Sequence, residues 1–181
     1  MRRAYRHAPA GTWPEAEKQG VITLVWDDRH RRRIRLTDDA GDDFLLDLER
    51  ATHLSDGDGL ALESGGWIEV RAAAEDVMEV EAREAGALAR IAWHIGNRHT
   101  PLQFLPGGTL RLVYDHVLAD MIAGLGATLT RGREPFQPEP GAYDHGRAEP
   151  AAQAGHHHDH HHDHGHHHHE HRHNGHHHHD D

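Results

Sequence analysis

The sequence predicts an α+β chain with three parts: an all-β domain over residues 1–73, a βαββαβ domain over 74–148, and a disordered histidine-rich tail over 149–181. Three observations lead to this division. Short β-branched or alternating runs recur about every ten residues as far as Val70, with Gly/Asp turns between them. From Glu84 the apolar spacing changes from the period of a strand to that of a helix, and the two periods then alternate. Beyond Gly155 apolar residues are essentially absent, so that stretch has nothing from which to build a core.

Within the first part, Val21-Ile22-Thr23-Leu24-Val25-Trp26 is a run with good strand propensity. Asp27-Asp28-Arg29-His30 reads as a turn, and Arg33-Ile34-Arg35-Leu36 alternates as a half-buried strand does. Phe44 to Leu48, Leu60 to Leu62 and Trp67 to Val70 supply further strands, separated by Asp38–Asp43, Ser55–Gly59 and Gly65-Gly66. Arg29, Arg31, Arg32, Arg33 and Arg35 form a basic cluster. With acids on both sides, it reads as a solvated strand face that blunts a sheet edge, and not as a nucleic-acid patch. His7, His30 and His53 lack ligand-like spacing and read as surface residues.

In the second part, Val77 to Glu81 alternates as a strand. Leu88, Ile91, Ala92 and Ile95 then form one helical stripe. Gly96-Asn97 follows, the residue types that adopt the left-handed conformation ending a helix, so His99 falls just beyond that end. Leu102-Gln103-Phe104 and Leu110-Arg111-Leu112, joined by Pro106-Gly107-Gly108, read as a hairpin. Asp115 suits a helix N-cap, with Val117, Leu118, Met121, Ile122 and Leu125 as the apolar face behind it, and Ala127 to Thr130 supplies a last strand. This order matches the ferredoxin-like arrangement, in which two helices cover one face of a four-stranded sheet.

The composition narrows the chemistry. The chain has no cysteine, so any metal must be held by nitrogen and oxygen ligands. The net charge of −11, of which residues 156–181 contribute about −4, suits cations and argues against nucleic acid as a partner. No apolar run approaches the ~18 residues of a membrane span, and the first residues lack the apolar centre of a secretory signal. The expectation is a cytoplasmic protein without membrane association.

Seventeen of the 24 histidines lie after Gly155. They are His156, His157, His158, His160, His161, His162, His164, His166, His167, His168, His169, His171, His173, His176, His177, His178 and His179. Imidazole suits nickel, copper, zinc and cobalt, and the interspersed carboxylates add negative charge. An artificial tag is normally one unbroken homopolymer; this run is interrupted by Asp, Gly, Glu, Arg and Asn, and so reads as a natural metal-collecting tail. A tail histidine has no fixed direction. His99, held between a helix end and a strand, does. A single His99 is a poor site, but two copies related by a two-fold axis would make an exposed, labile one. His116, in the first turn of the second helix, and His94 are further candidates. A hydrolytic zinc enzyme is disfavoured, because there is no His-Glu-x-x-His and no identifiable third fixed ligand with a general base. The chain therefore reads as a non-enzyme.

Several stretches together resemble the urease accessory protein UreE family of nickel metallochaperones. They are Val77-Met78-Glu79-Val80, His94-Ile95-Gly96-Asn97-Arg98-His99 with Pro101-Leu102-Gln103-Phe104, Tyr114-Asp115-His116-Val117-Leu118, Pro135-Phe136, Pro138-Glu139-Pro140-Gly141-Ala142-Tyr143, and the histidine tail. The resemblance covers nearly the whole chain. It implies a homodimer joined through the ferredoxin-like domains, with His99 of both subunits on one Ni²⁺, for which Zn²⁺, Cu²⁺ or Co²⁺ would compete. His116 resembles an additional ligand position, and His145 the first C-terminal histidine able to complete the interface site. His94 stands at a position where the family does not always have histidine, and Tyr114 where some members have a further one. The implied partners are the GTPase UreG and the apo-urease complex, with the β domain as a protein-binding module. The remaining alternative is a storage or buffering protein for divalent metals, in which the tail does all the binding.

Overall fold

The structure, a computed structural model, describes residues 1–140. His145, the histidines from His156 onward and the expected disorder of the tail fall outside the described residues.

Residues up to Ala72 build one six-stranded sheet. Its strands are β1 (Arg2–Ala8), β2 (Lys18–Leu24), β3 (His30–Thr37), β4 (Asp43–His53), β5 (Gly59–Leu62) and β6 (Trp67–Ala72), in the order β2-β6-β5-β1-β4-β3. The pairs β1/β4 and β2/β6 are parallel, and the other neighbours are antiparallel. Burial alternates along β4 as its sequence dictates: Phe44, Leu46 and Leu48 point inward, and meet Ala4, Ile22, Leu54, Leu60, Ile68 and Val70 in one core. Trp13 and Trp67 stack in a smaller cluster, their ring centroids 5.7 Å apart, and Trp13 Nε1 donates to Gly57 O at 3.0 Å. This ring lies so close over Gly59 that a Cβ there would sit 2.6 Å from it, so only glycine fits.

Several expectations for this half need correction. Strand β1 was not foreseen, because only Ala4 among its residues carries the buried face. Arg29 is not a solvated residue: it is 0% exposed, at the end of a single 3₁₀ turn over Trp26–Asp28. Burial pushes its pKa down, against the opposing pull of the Glu75, Asp56 and Asp58 carboxylates. Arg31, Arg33 and Arg35 do lie on the strand beside acids, pairing with Asp28, Asp47 and Asp43. His7 is half-buried with Nε2 2.7 Å from the buried Asp58 carboxylate, and the rings of His30 and His53 stack at 4.0 Å.

The following residues form a four-stranded antiparallel sheet of β7 (Ala74–Glu81), β8 (Gln103–Phe104), β9 (Leu110–Val113) and β10 (Thr128–Pro135), in the order β10-β7-β9-β8. With α1 (Ala85–Gly96) after β7 and α2 (His116–Gly124) after β9, this is the expected ferredoxin-like order. Met78, Val80, Leu110 and Leu112 on one sheet face pack with Ile91 and Ile95 of α1 and Ile122 of α2, all at most 1% exposed. Leu88, Ala92, Leu118, Met121 and Leu125 border that core, whereas Val117 is 62% exposed and lies outside the buried stripe. On the other face, Arg111 pairs with Glu79 directly across the strands at 2.5 Å. Among the described residues no helix is long and apolar enough to cross a membrane.

Candidate metal centre

His99 is placed by the way α1 ends. The last core residue, Ile95, is 0% exposed and anchors the final turn. Asn97 N–H then donates to Trp93 O at 3.0 Å, Arg98 N–H to Ile95 O at 3.0 Å, and His99 N–H to Gly96 O at 2.9 Å. The Arg98 side chain folds back as well, with Nη1 2.7 Å from His94 O. The helix end is thus fully tied down up to residue 99.

The left-handed residue at this end is not the one expected. Asn97 keeps helical angles (φ −63°, ψ −14°), and Gly96 is the last helical residue. His99 itself has φ 54°, and among the described residues it is the one non-glycine with positive φ. A side chain in this region is strained by roughly 1–2 kcal/mol, a cost met elsewhere mainly by glycine and asparagine. His99 is nevertheless exposed, so its imidazole is displayed to solvent from a constrained backbone.

The other candidates are placed differently. His94 is half-buried within α1, its ring edge-on to Trp93 at 4.9 Å. His116 is exposed at the first position of α2, where the Asp115 carboxylate caps the helix by accepting from Leu118 N–H at 2.8 Å. Just before that cap, the Tyr114 ring is covered by the Arg131 guanidinium at 3.7 Å. Arg131 is held by both carboxylate oxygens of Asp76, and these bonds keep Asp76 below the usual carboxylate range. A fixed cation therefore lies over Tyr114, two residues before His116. Among the described residues no three His, Asp or Glu side chains converge on a common point.

The sheet and helices of this half also leave large apolar side chains open. Trp93, Phe104, Val113 and Val117 are 61%, 55%, 40% and 62% exposed, four of the seven large apolar side chains left open among the described residues. Alternation had assigned Phe104 to a strand face without showing that this face is uncovered.

Two family models account for the chain: the UreE urease accessory protein N-terminal domain matches residues 3–73, and its C-terminal domain matches residues 75–180. The chain belongs to the UreE family. Among its relatives is the urease accessory protein UreE of Bradyrhizobium sp. (strain ORS 278), 50% identical over 151 residues, which are 83% of this chain and 69% of that one. The UreE of Beijerinckia indica is 47% identical over 143 residues, covering 79% of this chain and 82% of its own. That of Rhodobacter capsulatus is 48% identical over 147 residues, covering 81% and 90%. UreE membership makes the chain an accessory protein of urease.

Proposed function

We propose that this chain is a nickel metallochaperone acting as a homodimer. His99 of each protomer contributes to one Ni²⁺ site across a two-fold axis, and the histidine tail gathers the ions that are passed to it. The loaded dimer then delivers Ni²⁺ to the apo-urease assembly complex through the GTPase UreG. The observation that carries this reading is the exposed His99 at φ 54° on a fully bonded helix end. Strain of that kind persists only where the surroundings enforce it, and it is characteristic of ligand-holding positions.

Two further features support the reading. No three donors converge among the described residues, which suits a site completed by a second copy or by the tail. A two-fold contact at this helix end would also cover Trp93, which is 61% exposed on α1 six residues before His99. His116, His94 and His145 are proposed as additional ligands at or near this site. Nickel is the proposed cargo, and zinc, copper and cobalt also suit imidazole donors.

The deciding experiment compares His99→Ala with removal of residues 156–181. The proposed chaperone loses urease activation in His99→Ala while keeping most of its bound nickel. The truncated chain binds far fewer ions but keeps one tight site per dimer. Normal urease activation by His99→Ala would instead identify a metal buffer in which the tail does the work.

A further inference from the structure

The segment after β10 is gripped from two sides. Phe136 is 0% exposed, and its carbonyl accepts from Arg29 Nη2. The Gln137 side-chain oxygen accepts from Arg29 Nη1 at 2.5 Å and from Asp56 N–H at 3.3 Å, both belonging to the six-stranded sheet's part of the chain. On the other side, Gln137 N–H donates to Gln103 Oε1 at 3.0 Å, and Glu139 N–H to Leu102 O at 2.8 Å. Leu102 and Gln103 are the strand entry that follows His99.

Arg29 is an unusual choice for such a position. Its guanidinium is wholly buried, its hydrogen-bond partners are carbonyl and amide oxygens, and its Nε has no partner among the described residues. An apolar side chain of similar volume generally suits a buried site at least as well for stability alone. What the guanidinium adds is direction: its planar fork holds the Phe136 carbonyl and the Gln137 amide at once. Trp26, lying 5.2 Å from the guanidinium and edge-on to Phe136, completes the seat.

We propose that Arg29 is a positioning residue for His99, acting through Gln137 and Gln103. Only two residues, Thr100 and Pro101, separate His99 from Leu102. Proline fixes its own φ and restricts the residue before it, so this link is short and stiff. A shift of Leu102 and Gln103 is therefore passed to His99, whose left-handed backbone needs enforcement from outside. The six-stranded sheet thus contributes to presenting the imidazole, although none of its residues need touch the ion. The functional meaning of this link rests on the proposed role of His99; the mechanical link does not.

The test uses the metal-free full chain and amide hydrogen exchange resolved by residue. Arg29→Met and Gln137→Leu each speed exchange at the Gln137, Glu139 and His99 amides by about tenfold, the scale of one lost charge-assisted bond. The double variant is no faster than either single one, and Gln137→Glu, which keeps the acceptor, stays at the wild-type rate. Faster exchange at 137 and 139 with His99 unchanged would make Arg29 a local clamp and overturn the proposal, as would additive effects in the double variant. If Arg29→Met fails to fold, the Gln137→Leu and Gln137→Glu pair, at a half-buried residue, decides alone. Because no metal is present, this result is independent of whether His99→Ala abolishes urease activation, so the two readings fail separately.

Discussion

Replacing His99 by glycine is expected to stabilise the fold while removing its function. The φ of 54° costs a side-chain-bearing residue about 1–2 kcal/mol, which glycine escapes. Glycine gives back about 0.4–1 kcal/mol through the greater freedom of its unfolded chain. The net expectation is a gain of about 0.5–1 kcal/mol, or roughly 1–4 °C in Tm at this chain length. His99→Ala keeps the strain and loses the imidazole, so its Tm should match the wild type within about a degree. Calorimetric melts of the three metal-free proteins at one concentration give the comparison, since exposure of His99 leaves little side-chain packing to confuse it. Equal melting temperatures for His99→Gly and His99→Ala would refute the strain argument. Urease activation by the stabilised His99→Gly protein would refute the functional one.

Three other outcomes follow from the geometry. Asp38 has a 1% exposed side chain, accepts from Arg2 Nη2 at 2.8 Å and from the Ala40 and Asp42 amides, and is held by these bonds below its ordinary value of 3.8. Its stabilising contribution is therefore complete above that value and disappears as pH falls through the lower native one. Urea titrations should show Asp38→Asn about 1–3 kcal/mol less stable near pH 7, with the deficit shrinking as pH falls below 3.8. Asp115→Ala removes the α2 cap and should cost about 1 kcal/mol in the same assay, with faster amide exchange at Leu118. Gly59→Ala forces the Trp13 ring away and should cost about 1–3 kcal/mol, with loss of the near-ultraviolet dichroism of the Trp13–Trp67 stack.

The parts of this molecule that were legible in the sequence are those governed by periodicity. Leu88, Ile91, Ala92 and Ile95 announce α1 and its buried side because burial on a helix repeats every 3.6 residues. The hairpin, the Asp115 cap and the four-strand order followed from equally local signals. The losses occurred where a distant partner decides the outcome. Strand β1 has one buried small residue and three arginines, and is a strand because β4 and β5 flank it. Arg29 looked like its solvated neighbours, because residues more than a hundred positions later supply its seat. At the helix end His99 lies just past the last turn, as its sequence position indicates, but the left-handed residue is not the one the sequence suggested. Gly96 and Asn97 can both adopt that conformation, yet the turn continues past them and places it on the histidine.

The position of β1 has a consequence for biogenesis. The strand of this sheet that comes first in the sequence lies in its middle, and Arg2 must wait for Phe44 and Ala4 for Leu62 before either neighbour exists. During translation this segment is a β-prone stretch with both hydrogen-bonding edges open, the state most prone to pairing with a foreign strand. Arg2, Arg3 and Arg6 supply the charge that discourages such pairing, a gatekeeping task finished once the nascent sheet closes around them.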